Sequence, residues 1–274
     1  MPAFSRRYIS RKAPLNLLWV ALSILIALAA WELAAHLAGL PAFMLPPPEA
    51  VGQRFLLALT DGSLLNNTAY TLLEVLSGLV LGVGIATLLG YALAKSPRFE
   101  RLASPYIIAS QSIPIVAIAP LLIIWFGPGM LSKVLICALI VFFPVLINTV
   151  VGMRTVSEDL RDLMRSLQAT GSQTFRLLEV PAALPVFLGG LRIGATLSVI
   201  GAVVGEFVGS NHGLGFLINV ARGLYDTPMV FVAVFTLVFM ALSLYGLVVL
   251  LETSLLSWQQ RPEKNILTRH PEEI

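Results

Sequence analysis

Arg154–Pro181 reads RTVSEDLRDLMRSLQATGSQTFRLLEVP, a polar island between two long apolar runs. Eight of its 28 residues are charged, in a chain where charged residues make up only 12% of the total. Ionised groups at that density cannot sit in hydrocarbon. Nor is the island a featureless connector. Leu160, Leu163, Met164, Leu167, Phe175 and Leu178 recur at helical spacing, while Asp159, Arg161, Asp162 and Arg165 occupy other positions. The pattern predicts short amphipathic helices with one face in need of a partner. Gly171 marks the turn expected between two of them.

What surrounds the island is apolar: 57% of the 274 residues are hydrophobic and the mean hydropathy is +0.86. Such a chain belongs in a bilayer rather than in an ordinary soluble domain. A spanning helix takes about 20 apolar residues, and six candidate runs fall near 14–40, 68–94, 103–126, 134–151, 193–208 and 229–256. The expected fold is therefore an all-α integral membrane bundle of about six transmembrane helices. It comprises a basic N-terminal segment at 1–13, a membrane domain at 14–258 with its loop at 154–181, and a charged tail at 259–274. The basic start followed by an apolar run also suits a cleavable signal, but the run is too long for one and is read as an uncleaved first helix.

Counting Lys and Arg gives the orientation. With the N-terminus inside, fourteen lie on the cytoplasmic side and three, Arg54, Lys133 and Arg222, on the other, with Arg192 unassigned. That asymmetry puts both termini and the polar island in the cytoplasm.

Several functions are excluded by what the chain lacks. No basic stripe suits a nucleic acid. Cys137 is the only cysteine and cannot form an internal disulfide. No CxxC, HExxH or cluster of His with carboxylates suggests a metal. No GxxxxGK[ST] loop binds nucleotide phosphates, and no GxSxG suggests an intramembrane hydrolase. Energy for uphill transport must come from elsewhere. An ion-coupled secondary transporter or a channel is the alternative, but it calls for mid-membrane ionisable groups or an inverted repeat, and neither is evident.

The island also resembles the cytoplasmic coupling motif of permease subunits from bacterial ABC importers, which reads Glu-Ala-Ala, three residues, Gly, nine residues, a hydrophobic residue, one residue, Leu-Pro. Counted back from Pro181, Val180 takes the Leu position, Leu178 the hydrophobic one, Gln168 the Gly, and Asp162, Leu163 and Met164 the Glu-Ala-Ala. Because Gln168 replaces the Gly, the turn is expected three residues later, at Gly171. Further phrases in the same order are similar to the permeases for sulfonates, taurine, nitrate and pyrimidine precursors: FMLPPPEAV at 43–51, IPIVAIAPLLIIWFGPG at 113–129, 143–152, PAALPVFLGGLR at 181–192 and GEFVGSNHGLGFL at 205–217.

The resemblance implies a type I ABC importer permease. Asp162, Leu163, Met164, Leu167, Gln168, Ala169, Thr170, Gly171, Phe175 and Pro181 would then engage an ATPase subunit. It implies two such ATPase subunits, a second copy of the permease, and an extracytoplasmic solute-binding protein that delivers a small polar or anionic solute. It implies no cofactor on this chain, with ATP and Mg on the partner ATPase. The residues themselves add candidates. Ser110, Gln111 and Ser112 in a proline-interrupted third span, Asn148 in the fourth and Glu206 near the outer end of the fifth are read as path or gate residues, or as helix-packing groups. Glu74 is a weaker candidate of the same kind. Gly78 and Gly82, and the glycines at 190, 194, 201, 205 and 209, predict closely packed helices.

Overall fold

In hydrocarbon every backbone N–H and C=O must be satisfied within its own segment, so the apolar runs fold as helices. A computed structural model describes residues 13–37 and 43–260. Residues 1–12 of the segment expected at 1–13, the end of the first run at 38–40 and residues 261–274 of the tail expected at 259–274 lie outside the described residues. Helix α1 (Ala13–Leu37) is followed by the surface helix α2 (Pro48–Thr60), the long α3 (Ser63–Lys95), and the pair α4 (Pro97–Gln111) and α5 (Ile115–Phe126). Then come α6 (Met130–Arg154), the short α7 (Glu158–Ser166) and α8 (Gly171–Thr174), and a π-turn over Phe175–Glu179. That turn runs into α9 (Val180–Gly209), and α10 (Leu214–Gly223) and α11 (Thr227–Leu255) complete the order, with a 3-10 turn at Ser257–Gln260. Among the described residues, five helices have the length and hydropathy to cross a membrane, or six with α4 and α5 taken as one broken span.

α6 is the central post, packed on one side by α3 and on the other by α9. Lipid is as apolar as leucine, so close approach of backbones rather than hydrophobic burial holds such helices together. The small residues anticipated from the sequence provide that approach. A Cβ placed on Gly82 of α3 falls 2.7 Å from the carbonyl oxygen of Ala138, and one on Gly201 of α9 falls 2.9 Å from the Cα of Cys137. Cys137 and Val141 are fully buried between the three helices, and Ile136 is buried against Ala119 and Leu122 of α5. The outward faces keep large apolar side chains, Val80, Leu88, Ile124 and Phe239 among them, each more than 70% exposed and suited to lipid.

Three expectations need correction. The third span is not one helix: α4 and α5 meet at a 94° bend. Ile113 precedes Pro114, which biases it away from the helical region, and Pro114 supplies no N–H to bridge the break. The fifth span, expected at 193–208, begins well before residue 193, because α9 runs unbroken from Val180. Lys133, counted as a loop residue, lies in the first turn of α6 and is buried.

The candidate coupling loop and path

α7 carries Glu158 and Asp159 in its first turn and Arg165 in its last, the charge order that complements a helix dipole. Its orientation is the informative point. Leu160, Leu163 and Leu167 are 45%, 53% and 68% exposed, whereas Arg161 turns inward and donates to the Met153 carbonyl at 3.2 Å. The apolar ridge of this helix thus faces away from the chain. Met164 is half-buried beside it, and Asp162 pairs on the exposed side with Arg165 at 2.6 Å.

The turn after α7 falls at Gln168, not at Gly171. Gln168 has φ of 54°, a left-handed conformation that favours glycine, at the position where the resembling motif has its Gly. The Leu167 N–H reaches the Leu163 carbonyl at 3.0 Å and that of Ala169 the Met164 carbonyl at 3.0 Å, closing the helix end. Gly171 is simply the first residue of α8. Thr170 caps that helix: its hydroxyl accepts from the Gln173 N–H, while the Gln173 side chain accepts from the Thr170 N–H. Gln168→Gly is therefore expected to stabilise this turn by about 1 kcal/mol, raising hydrogen-exchange protection of the α7 and α8 amides about fivefold. Unchanged or lowered protection counts against the assignment.

Phe175 and Pro181 are placed differently from the ridge. Phe175 packs edge-on against Tyr91 at 5.2 Å and, with Thr149, Met153, Ala183 and Phe187, lines an apolar cleft of about 420 Å³. Pro181 has no N–H, so the ladder slips across it: the Val180 N–H bonds the Phe175 carbonyl, five residues back. Phe175 anchors the loop to the bundle.

Of the candidate path residues, Ser110, Gln111 and Ser112 come together, exposed, at the α4/α5 break. The two serine hydroxyls donate to Tyr106 at 2.6 Å and to Ile108 at 3.2 Å, within their own helix. Asn148 does not join them. It lies where a Cβ on Gly190 would meet its side chain, and it donates to the Pro144 carbonyl at 2.8 Å, so it serves the α6/α9 contact.

Glu206 is buried and forms a latch at the end of the bundle where α9 meets α10. The first N–H groups of a helix have no partner within it. For α10 they are met by side chains of α3 and α9. Gly213 donates to Asn67 at 2.8 Å, Leu214 to the Thr71 hydroxyl at 2.8 Å, and Gly215 to Glu206 at 2.5 Å. Thr71 in turn donates to Glu206 at 2.7 Å. The carboxylate also complements the helix dipole. Gly213 is required here, because its φ is +103° and a Cβ would collide with the Glu206 carboxylate. Glu74 and Lys133 complete the buried cluster, with Lys133 donating to the Pro128 carbonyl.

Sequence reasoning missed Asn67, Thr71 and Lys133. The available signal was the Gly213-Leu214-Gly215 turn opening an apolar helix that lacks a capping side chain of its own. Thr71→Val is expected to leave one buried acceptor and one buried donor unmet, costing about 2 kcal/mol. Thermal unfolding in detergent and faster exchange of the α10 amides measure that loss; wild-type behaviour in both rules out the latch.

Residues 78–257 match the model of the binding-protein-dependent transport system inner membrane component. The chain belongs to this family. A riboflavin transport system permease protein, RibX, of Chloroflexus aurantiacus is 47% identical over 86% of this chain and 88% of its own length. A formylaminopyrimidine transport permease protein, ThiX, of Halalkalibacterium halodurans is 35% identical over 88% and 95%. The aliphatic sulfonates permease SsuC of Bacillus subtilis is 32% identical over 87% and 86%. Among solved structures, the inward-facing MetNI methionine ABC transporter matches with a TM-score of 0.59 and 17% identity over 73% of this chain and 97% of that one, which shows the fold. The protein is a multi-pass inner-membrane permease component of an ABC importer, with the type I importer fold, in a family that works with an ATPase and a solute-binding partner.

Proposed function

We propose that this permease imports a small, polar nitrogen heteroaromatic solute of the riboflavin or pyrimidine-precursor type, as a homodimer driven by two ATPase subunits. The substrate reading rests on the relatives. The two at 47% and 35% identity carry names for planar heterocyclic cargo, above the sulfonate permease at 32%. The motor reading is carried by one observation, the outward apolar ridge of Leu160, Leu163 and Leu167 on a helix whose arginine turns inward. Such a face suits a partner's groove, and through it a rigid-body movement passes to the bundle.

The loop and both termini are cytoplasmic in this reading, as the fourteen-to-two distribution of Lys and Arg supports once the buried Lys133 is set aside. The binding protein delivers solute to the opposite rim. There the Arg54–Asp226 pair at 2.7 Å ties α2 to the start of α11, and Leu224 and Tyr225 are exposed. Ser110, Gln111 and Ser112 line the path in the homodimer, since polar side chains exposed within a span call for a wet cavity or a protein surface.

Liposomes holding the permease, its ATPase and its binding protein test this reading. Riboflavin or formylaminopyrimidine uptake that requires ATP is the expected result, with taurine excluded. Taurine uptake in place of the heterocycles overturns the substrate reading. Uptake driven by an ion gradient without the ATPase overturns the motor reading in favour of a secondary transporter.

A further inference from the structure

The docking loop is fastened to the bundle at one buried carboxylate. Glu179, the last residue of the π-turn, is 1% exposed. Its Oε1 accepts from Lys95 Nζ at 2.5 Å, at the cytoplasmic end of α3, and lies 3.9 Å from Arg161 Nη1 on α7. Arg161 also holds the Met153 carbonyl near the end of α6. A single oxygen therefore joins α3, α7 and the start of α9, with α6 attached through the guanidinium. Two atoms of the node stand idle: Glu179 Oε2 and Arg161 Nε are both buried and have no hydrogen-bond partner.

Buried polar atoms are rarely left unmet, and an unmet carboxylate oxygen beside an unmet guanidinium nitrogen is costly in both places. The two idle atoms belong to groups that form a two-bond fork whenever their planes align, and that fork is stronger than the contact at 3.9 Å. Lys95 holds the carboxylate in its present place, its ammonium also 5.6 Å from the centre of the Tyr91 ring, against which Phe175 of the π-turn packs. A π-turn is a place where a helix can change register, since its five-residue hydrogen bonds are weaker than the α ladder on its C-terminal side.

We infer that Glu179 is a positioning residue that exchanges partners during transport, held by Lys95 in the state described and taken by Arg161 in a bidentate fork when the docking loop is displaced. The exchange gives the loop two discrete states, one tied to α3 and one released from it, as a coupling element between distant sites requires. In one arrangement α3 and α9 are clamped together at the cytoplasmic mouth; in the other the clamp runs between α9 and α7. The inference rests on the proposed motor reading, and it assigns the transmission within that reading to one carboxylate.

The test uses the full reconstituted importer and compares solute imported per ATP hydrolysed. Glu179→Gln removes the charge. Arg161→Lys keeps the charge but cannot form the fork, so a role in packing or charge balance alone leaves it near wild type. Both variants are expected to retain ATPase-subunit association, because neither residue lies on the exposed ridge. Both are expected to lower transport per ATP about tenfold, within the range by which residues along a coupling route act. Glu179→Asp, which keeps the charge on a shorter arm, is expected to recover part of the loss. A wild-type ratio in Arg161→Lys overturns the exchange whether or not Glu179→Gln assembles. Loss of ATPase association in Leu163→Glu, measured alongside, reports separately on the motor reading.

Discussion

Leu163→Glu combined with Leu167→Glu is expected to abolish ATP-driven uptake while the permease still inserts and keeps its thermal stability. Neither leucine is held by its own chain, at 53% and 68% exposed, so folding has little to lose. A partner that buries them loses an apolar anchor and must accommodate an unpaired carboxylate in its place. Truncation of an anchoring residue alone costs about 2 kcal/mol or more, and the added charge raises the penalty, so ATPase association is expected to weaken at least ~100-fold. Co-purification of the ATPase subunit with the double variant checks this, with membrane fractionation confirming insertion. Full association with normal uptake means that the ridge is not the docking face.

The second large effect concerns the bundle itself. Gly82→Leu and Gly201→Leu each force a side chain against backbone atoms of α6, at 2.7 Å from the Ala138 oxygen and 2.9 Å from the Cys137 Cα. Backbone cannot swing aside as a flexible side chain can, so the helices must separate along their whole contact. Overpacking a core costs roughly 1–3 kcal/mol, and these sites belong at the upper end or beyond. Thermal unfolding in detergent is expected to show a drop of several degrees for each, and the membrane-embedded yield is expected to fall with it. Gly84→Leu is the control: no atom lies within 4 Å of a Cβ there, so stability stays unchanged. Equal losses at Gly82 and Gly84 count against tight packing as the cause, since leucine favours a helix over glycine and cannot destabilise α3 by propensity.

The sequence carried the class of the fold because hydropathy is a local property. Runs such as Val134–Val151 announce a buried helix whatever surrounds them, and four-residue glycine spacing announces its neighbours. The amphipathic character of the loop was legible for a similar reason, since the repeat of Leu160, Leu163 and Leu167 needs only helical geometry to make a ridge. Which way that ridge points was not legible, because it depends on where Arg161 finds its partner. The pairing of Lys95 with Glu179 spans 84 residues and that of Thr71 with Glu206 spans 135, and no local pattern encodes either. Lys133 was misread as a loop residue because a charge at the edge of an apolar run ordinarily faces water. Here it turns inward toward Glu74 and Glu206. Gln168 shows the opposite case: glycine was absent, yet the backbone kept the left-handed turn that a glycine at this position serves.

Site-directed labelling offers the most direct measurement of the central claim that a cytoplasmic ATPase subunit covers the α7 ridge. Leu163→Cys places a thiol on that ridge, and the single native cysteine, Cys137, is buried and does not compete. A membrane-impermeant maleimide is expected to label inside-out vesicles, to leave intact cells unlabelled, and to be blocked when the ATPase subunit is bound. Labelling from the outside of intact cells, or labelling that bound ATPase leaves undiminished, contradicts the account.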